Sequence, residues 1–263
     1  MKKLYEESDV QAIADAIRSK NSSEDKLKIT QMADEIEAID LTQAYQSVFD
    51  KSITMVDLPN ITDIANSYLF RICKELLSVN LPNVKNISGE YVFTECSKLT
   101  NVNIANAEIL SGTAMFALSN IKHIDISKVT ILGRQIFYGT PIEKIILPNA
   151  ISIGAGCFYS CSNLIYAEFG KAVSIGNTVF RKSGLKTLVL RATDGLASLA
   201  SSATYVLGET PIISGTGYIY VPSALIDSYK TATNWTTCAS QFRALEDYTI
   251  DGTTDGELDE TKI

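Results

Sequence analysis

Histidine occurs once in this 263-residue chain, at His123, and tryptophan once, at Trp235. A single imidazole leaves no histidine-rich ligand set for zinc. No motif around His123 indicates a Ser–His–Asp or Cys–His grouping. Positive charge is also scarce: 23 Lys and Arg face 30 Asp and Glu, a formal charge of −7. Such a balance argues against general phosphate-backbone binding, so no nucleic-acid partner is expected. The longest apolar runs fall far short of a membrane span, so no insertion is expected either. "GRQIFYGT" and "GAGC" lack the GK[ST] ending of a Walker loop. The five cysteines are an odd number without the dense spacing of a disulfide scaffold. Cys157 and Cys161 have a CxxxC spacing, but no second ligand pair exists. No metal, no cofactor and no catalytic residue is therefore expected. The N-terminal "MKKLYEESDV" starts basic and turns acidic with no apolar core behind it, and does not read as a Sec signal peptide.

What the chain does contain is a repeat. "ITMVDLPNITDIANSYLFRICKEL" returns 23 residues later as "LLSVNLPNVKNISGEYVFTECSKL". An apolar anchor recurs at Leu58, Leu81, Ile104, Ile126, Leu147, Phe169 and Leu190, in steps of 23, 23, 22, 21, 22 and 21 residues. A second column is aromatic: Phe70, Phe93, Phe116, Phe137, Phe158 and Phe180. A third is small or thiol: Cys73, Cys96, Ser119, Cys161 and Ser183. This period is that of a leucine-rich or similar solenoid coil. Each coil is expected to add one short strand, such as Val79-Asn80-Leu81, with alternate residues facing inward. No coil buries its own apolar face, so the coils stack into one core with the phenylalanines as an internal ladder. The third column reads as reduced core thiols, because cysteine packs as a small hydrophobe and serine replaces it twice. Cys73 and Cys96 lie close enough for a disulfide if they occupy adjacent coils. The Pro–Asn steps after each strand read as turns.

The pattern over about residues 53 to 191 resembles the BspA-type leucine-rich repeat family of bacterial surface proteins and some phage proteins. The resemblance implies an α/β-type solenoid of about seven coils over residues 46–191. It also implies a recognition scaffold with interchangeable surfaces. "YIYVP" and the helical "SALIDSYKTATNWTTCASQFRAL" resemble the strand-helix cap of such arrays, placing a capping region at residues 192–248. The period fails after Leu190, and residues 191–217 read as irregular. Tyr229 and Trp235 read as packing anchors of the cap, which covers the sheet edge.

Residues 8–39 read as two short amphipathic helices, carrying Val10, Ile13 and Ile17, then Met32 and Ile36. Ser8 and Gln11 read as a capping box, and Thr30 as the cap of the second helix. Some thirty residues are few for an independent core, so docking on another chain or on the first coil would provide the missing burial. "ADAIRSKNSSEDKLKITQMADEIEAI" resembles the N-terminal segment of tail and other virion structural proteins in phages of Gram-positive bacteria. That resemblance implies an attachment segment at residues 1–45 that engages other virion proteins, with the protein located in the virion. A homo-oligomer, trimeric by analogy with fibre appendages, is expected. The last residues, 249–263, hold five carboxylates and one lysine, a composition expected to stay mobile unless a partner orders it.

The outward strand positions pair as Met55/Asp57, Ser78/Asn80, Asn101/Asn103, His123/Asp125, Lys144/Ile146, Tyr166/Glu168 and Thr187/Val189. From these the candidate binding residues are Asp57, Ser78, Asn80, Asn101, Asn103, His123, Asp125, Tyr166 and Glu168. Amides and carboxylates there would hydrogen-bond a host-surface glycan or protein, and Tyr166 would stack on it. The expected function is that of a non-enzymatic phage appendage protein, of tail-fibre or baseplate type, presenting this face. A bacterial surface adhesin or a capsid-decorating fibre shares most of these features.

Overall fold

The computed structural model describes residues 53–248. The attachment helices, with Val10, Ile13, Ile17, Met32 and Ile36, and the acidic segment 249–263 lie outside the described residues. The chain winds through about eight coils as a parallel solenoid. The first three coils contribute β1 (Met55–Asp57), β2 (Asp63–Ile64), β3 (Ser78–Asn80), β4 (Asn86–Ile87), β5 (Asn101–Asn103) and β6 (Ile109–Leu110). After a fourth coil that adds only β7 (Ile131–Leu132), there follow β8 (Lys144–Leu147), β9 (Ser152–Ile153), β10 (Tyr166–Phe169) and β11 (Ser174–Ile175). Then come β12 (Thr187–Leu190), β13 (Ser198–Leu199), the short helix α1 (Ala203–Val206) and β14 (Tyr218–Val221). Helix α2 (Ile226–Thr231) and β15 (Phe242–Ala244) follow.

Two parallel sheets line the solenoid. The seven-stranded one, β2-β4-β6-β7-β9-β11-β13, is unbroken. The other splits into β1-β3-β5 and β8-β10-β12-β14-β15, because residues 121–126 occupy the fourth rung without forming a strand. The anchors from Leu58 to Leu190 all point into the core, at most 9% exposed. A turn follows the first five, as in the bonds from the Val84 amide to the Leu81 carbonyl and from Ala107 to Ile104. The asparagine of that turn does more than bend the chain. Asn83 and Asn106 each donate their side-chain amide, at 2.7 Å, to the carbonyl of Pro59 and Pro82 one coil back, and Asn149 does the same to Ser127 at 3.0 Å.

The phenylalanines stack as six consecutive rings with centroids 5.2–5.7 Å apart and planes within 12° of parallel. The five cysteines are all buried, and none forms a disulfide among the described residues. The small column also carries polar duty. Ser119, Thr140 and Ser183 each donate to the carbonyl of the phenylalanine three residues earlier, at 2.7–2.9 Å. Cys96 and Cys161 donate instead to Phe70 and Phe137 of the preceding coil, at 3.1 and 3.0 Å. The column selects a small donor for a buried carbonyl, which is why cysteine, serine and threonine interchange there.

Past Leu190 the structure departs from the sequence reading. The stretch taken as irregular contains β13, which extends the seven-stranded sheet, and α1, whose Val206 carbonyl accepts from the Phe180 amide at 3.0 Å. The stacking therefore continues for another coil whose length hides the period. The expected helix over residues 223–245 is broken. Asn234 lies at φ 70°, and "FRA" forms β15 in parallel with β14. Phe242 is drawn there by packing against Tyr229 and Trp235, at 5.3 and 5.7 Å between centroids. Those two rings are fully buried. The Tyr229 hydroxyl accepts from the Ala197 amide and Trp235 Nε1 donates to the Ala197 carbonyl, both at 2.8 Å.

Candidate binding groove

Outward side chains on a parallel sheet form columns one residue wide, because register brings equivalent positions together. Met55, Ser78 and Asn101 align, as do Asp57, Asn80 and Asn103. The second column is bonded side chain to side chain: Asn80 donates to Asp57 at 2.9 Å, and Asn103 to Asn80 at 2.7 Å. The Asn80 amide accepts from Asn103 through its carbonyl and donates to Asp57 through its NH2, so the ladder has a fixed polarity.

Where the outer sheet splits, a groove of ≈ 640 Å³ opens over coils two to four. It is lined by Ser78, Asn80, Asn101, Asn103, His123 and Asp125, together with Thr100 and Lys122. Its floor is apolar. Val102 and Ile124 are half-buried, whereas Val79, in a strand paired on both sides, is 2% exposed. His123 is 73% exposed in its side chain, with Nε2 3.6 Å from Glu143. Lys122 Nζ lies 3.8 Å from the other oxygen of the same carboxylate. Asp125 turns one oxygen back to the Ser127 amide at 3.0 Å, ending the rung in a side-chain-closed bend in place of a strand.

The groove thus brings together six of the nine sequence-derived candidates, and Asp57 joins them through Asn80. The expectation of a strand at His123 and Asp125 fails, although both side chains face outward as expected. Tyr166 and Glu168 lie elsewhere. Tyr166 is 2% exposed, so it is no stacking platform. It belongs to a buried cluster with Val189 and Tyr220, against which Tyr218, Leu245 and Tyr248 of the last coil pack. The sequence could not show this, because the covering residues lie in the stretch where the period is lost. The Tyr166 hydroxyl donates to Glu168, which Arg191 also grips at 2.5 Å. Lys122 and Thr100 were missed because they sit one residue ahead of the outward positions, and only the opened rung exposes them to the groove.

The chemistry on offer is amide, hydroxyl, carboxylate, imidazole and ammonium around an apolar floor. Such groups are able to hydrogen-bond a ligand. No group of three or more His, Cys, Asp or Glu that could hold a metal occurs among the described residues. The thiols are not poised to attack: burial raises Cys161 to about 11 and Cys96 and Cys238 to about 12. Among the described residues no helix is long and apolar enough to cross a membrane.

Two solved leucine-rich repeat proteins align with this chain. The protein from T. pallidum (TpLRR) aligns with a TM-score of 0.45 and 17% identity over 67% of this chain and 82% of that one. The protein from Bacteroides ovatus ATCC 8483 aligns with a TM-score of 0.42 and 20% identity over 63% of this chain, which spans 43% of that one. No curated protein matches the chain in sequence. The family model for the BspA type leucine rich repeat region matches residues 23–140 and 112–203, with six copies. The columns of anchor, ring and donor described above are the physical content of that match, and the chain belongs to the BspA-type leucine-rich repeat family.

Proposed function

We propose that the protein is a non-enzymatic virion structural protein of a phage, of tail-fibre, baseplate or similar appendage type, whose repeat surface binds a host or partner molecule through the groove over coils two to four. The observation that carries the binding assignment is the split rung, which exposes an apolar floor inside a rim of exposed polar groups. Asn101, Lys122 and His123 all point into solvent there. The virion assignment is supported by the resemblance of residues 8–39 to phage structural proteins. In this reading the N-terminal segment attaches the protein to the particle. A host-surface glycan or protein is the class of ligand that such a rim fits.

Replacing Asn101, Lys122 and His123 together by alanine is expected to abolish host-cell binding while leaving the melting temperature within about 2 °C, since exposed polar positions contribute little to stability. Undiminished cell binding would place the binding face elsewhere. Deleting residues 1–45 is expected to leave the protein folded but absent from purified particles. Normal incorporation would remove the attachment role. Family membership also fits a bacterial surface adhesin or a capsid-decorating fibre. Labelled antibody on intact particles separates the three: signal at the tail supports the proposal, signal on the capsid moves the protein there, and signal on bacterial cells alone overturns the virion assignment.

A further inference from the structure

The asparagine ladder of the outer sheet ends on a mismatch inside the groove. Asn103 donates its NH2 to the Asn80 carbonyl at 2.7 Å, and Asn80 donates to Asp57 at 2.9 Å, so each bond points back to the preceding coil. A next member would have to donate to the Asn103 carbonyl oxygen. The residue in that place is Asp125, which precedes the anchor Ile126 as Asn103 precedes Ile104. An ionised carboxylate has no hydrogen to give. One Asp125 oxygen accepts from the Ser127 amide at 3.0 Å. The other oxygen and the Asn103 side-chain carbonyl accept nothing among the described residues. Two acceptors one coil apart, roughly 5 Å by the spacing of adjacent strands, therefore line one groove with no donor between them. The seven-stranded sheet repeats the device without the mismatch. There Asn86 donates to Asp63 at 2.7 Å, and the next coil places Ile109 in register.

A ligand that satisfies both acceptors must bring donors. Calcium takes about six to eight oxygens, more than one carboxylate and one amide supply. An organic cation would share the groove with the Lys122 ammonium, a like charge. Hydroxyl groups on adjacent carbons meet neither objection, because each gives one hydrogen and keeps its own lone pairs for other partners. The bond to the carboxylate is then charge-assisted, the stronger kind. The rest of the groove suits the same ligand. Half-buried Val102 and Ile124 offer an apolar surface to the C–H face of a sugar ring, and exposed Asn101 and His123 offer polar groups to its remaining hydroxyls. We propose that the Asn103 carbonyl and the Asp125 carboxylate together bind a vicinal diol of a neutral hexose, so that the partner is a host-surface glycan and not a protein; this rests on the assignment of the groove as the binding face.

Binding of the full chain to immobilised mannan, galactan and dextran tests this, each film being compared with the same film after periodate cleavage of its vicinal diols and borohydride reduction. Binding to at least one film is expected, with a loss of about ten-fold or more after periodate, as for a hydrogen bond to a charged group. Asp125→Asn supplies the missing donor, extends the ladder to coil four and keeps an oxygen for the Ser127 amide. It is expected to weaken binding to that film by about ten-fold or more while the melting temperature holds or rises. No binding to any film, equal binding after periodate, or an Asp125→Asn chain that binds as wild type does overturns the proposal. Binding to chitosan alone assigns the acceptors to an ammonium and overturns it too. Host cells separate this failure from that of the groove itself. Cell binding that is lost in the Asn101, Lys122 and His123 alanine variant, survives periodate and disappears after protease treatment of the cells overturns the hexose and leaves the groove as a protein-binding face. Cell binding undiminished in that variant removes the groove.

Discussion

Gly89, Gly112, Gly133 and Gly154 stand in consecutive coils just after the strands of the seven-stranded sheet. A Cβ added at Gly112 would sit 2.1 Å from the Gly89 carbonyl oxygen, and at Gly133 2.2 Å from that of Gly112. The coils approach backbone to backbone along this line, and only hydrogen fits between them. Gly112→Ala is expected to destabilise the fold by about 3 kcal/mol or more in denaturant titration. Gly195→Ala, whose new Cβ would meet only the Ala172 methyl at 3.4 Å, should fall within about 0.5 kcal/mol of wild type. This column was visible in the sequence as a recurring glycine, but glycine reads first as a turn signal, and close approach is a property of two coils at once. A second prediction concerns acid. Burial alone would raise the Glu168 carboxyl, but hydrogen bonds from Arg191 and Tyr166 outweigh it and hold the group below its ordinary 4.5. A carboxylate held down in the folded state stabilises the fold above that ordinary value, and the contribution is lost as pH falls below it. Glu168→Gln is therefore expected to lower stability at neutral pH and to flatten its decline below pH 4.5, measured by thermal melts across the acid range.

At the scale of the repeated element, the phenylalanine ladder couples each coil to the next. Phe116 is fully buried between Phe93 and Phe137, 5.4 and 5.7 Å away. Phe116→Ala removes one ring and both stacking partners' contacts, so a loss of about 3–5 kcal/mol is expected. Because coils touch only their neighbours, protection from hydrogen exchange should fall most in coils two to four, and the C-terminal coils should keep theirs. A uniform loss along the chain would show that the array unfolds as a single unit. The asparagines that brace successive turns act on the same scale: Asn106→Ala should cost about 1 kcal/mol, the ordinary worth of one such bond. These elements were legible because a ring or an amide at fixed spacing keeps the same neighbours in every coil.

For the whole molecule, two departures from regularity matter more than the repeat. One is the fourth rung, where the Asp125–Ser127 bend replaces a strand, divides the outer sheet and opens the groove. The other is the last coil, whose tyrosines cover the outer face from Tyr166 to Tyr220. Between them they confine the exposed polar ladder to the N-terminal half of the described solenoid. Replacing Tyr218 and Leu245 by alanine is accordingly expected to expose Tyr166, read as increased quenching of tyrosine fluorescence by acrylamide. Unchanged quenching would mean that other residues cover it.

The repeat, its solenoid form, the buried ladders and the inward and outward faces of each strand were determined by the amino-acid order alone. Each depends on a spacing that every coil reproduces, and short-range periodicity is readable without coordinates. What covers the face and what leaves it open was decided only by the tertiary structure. Tyr166 and Asn101 occupy equivalent outward positions, and nothing local separates them. Their difference lies in residues 218–248 packing over one and a broken strand uncovering the surroundings of the other. Such contacts join segments far apart in the chain, and no period records them.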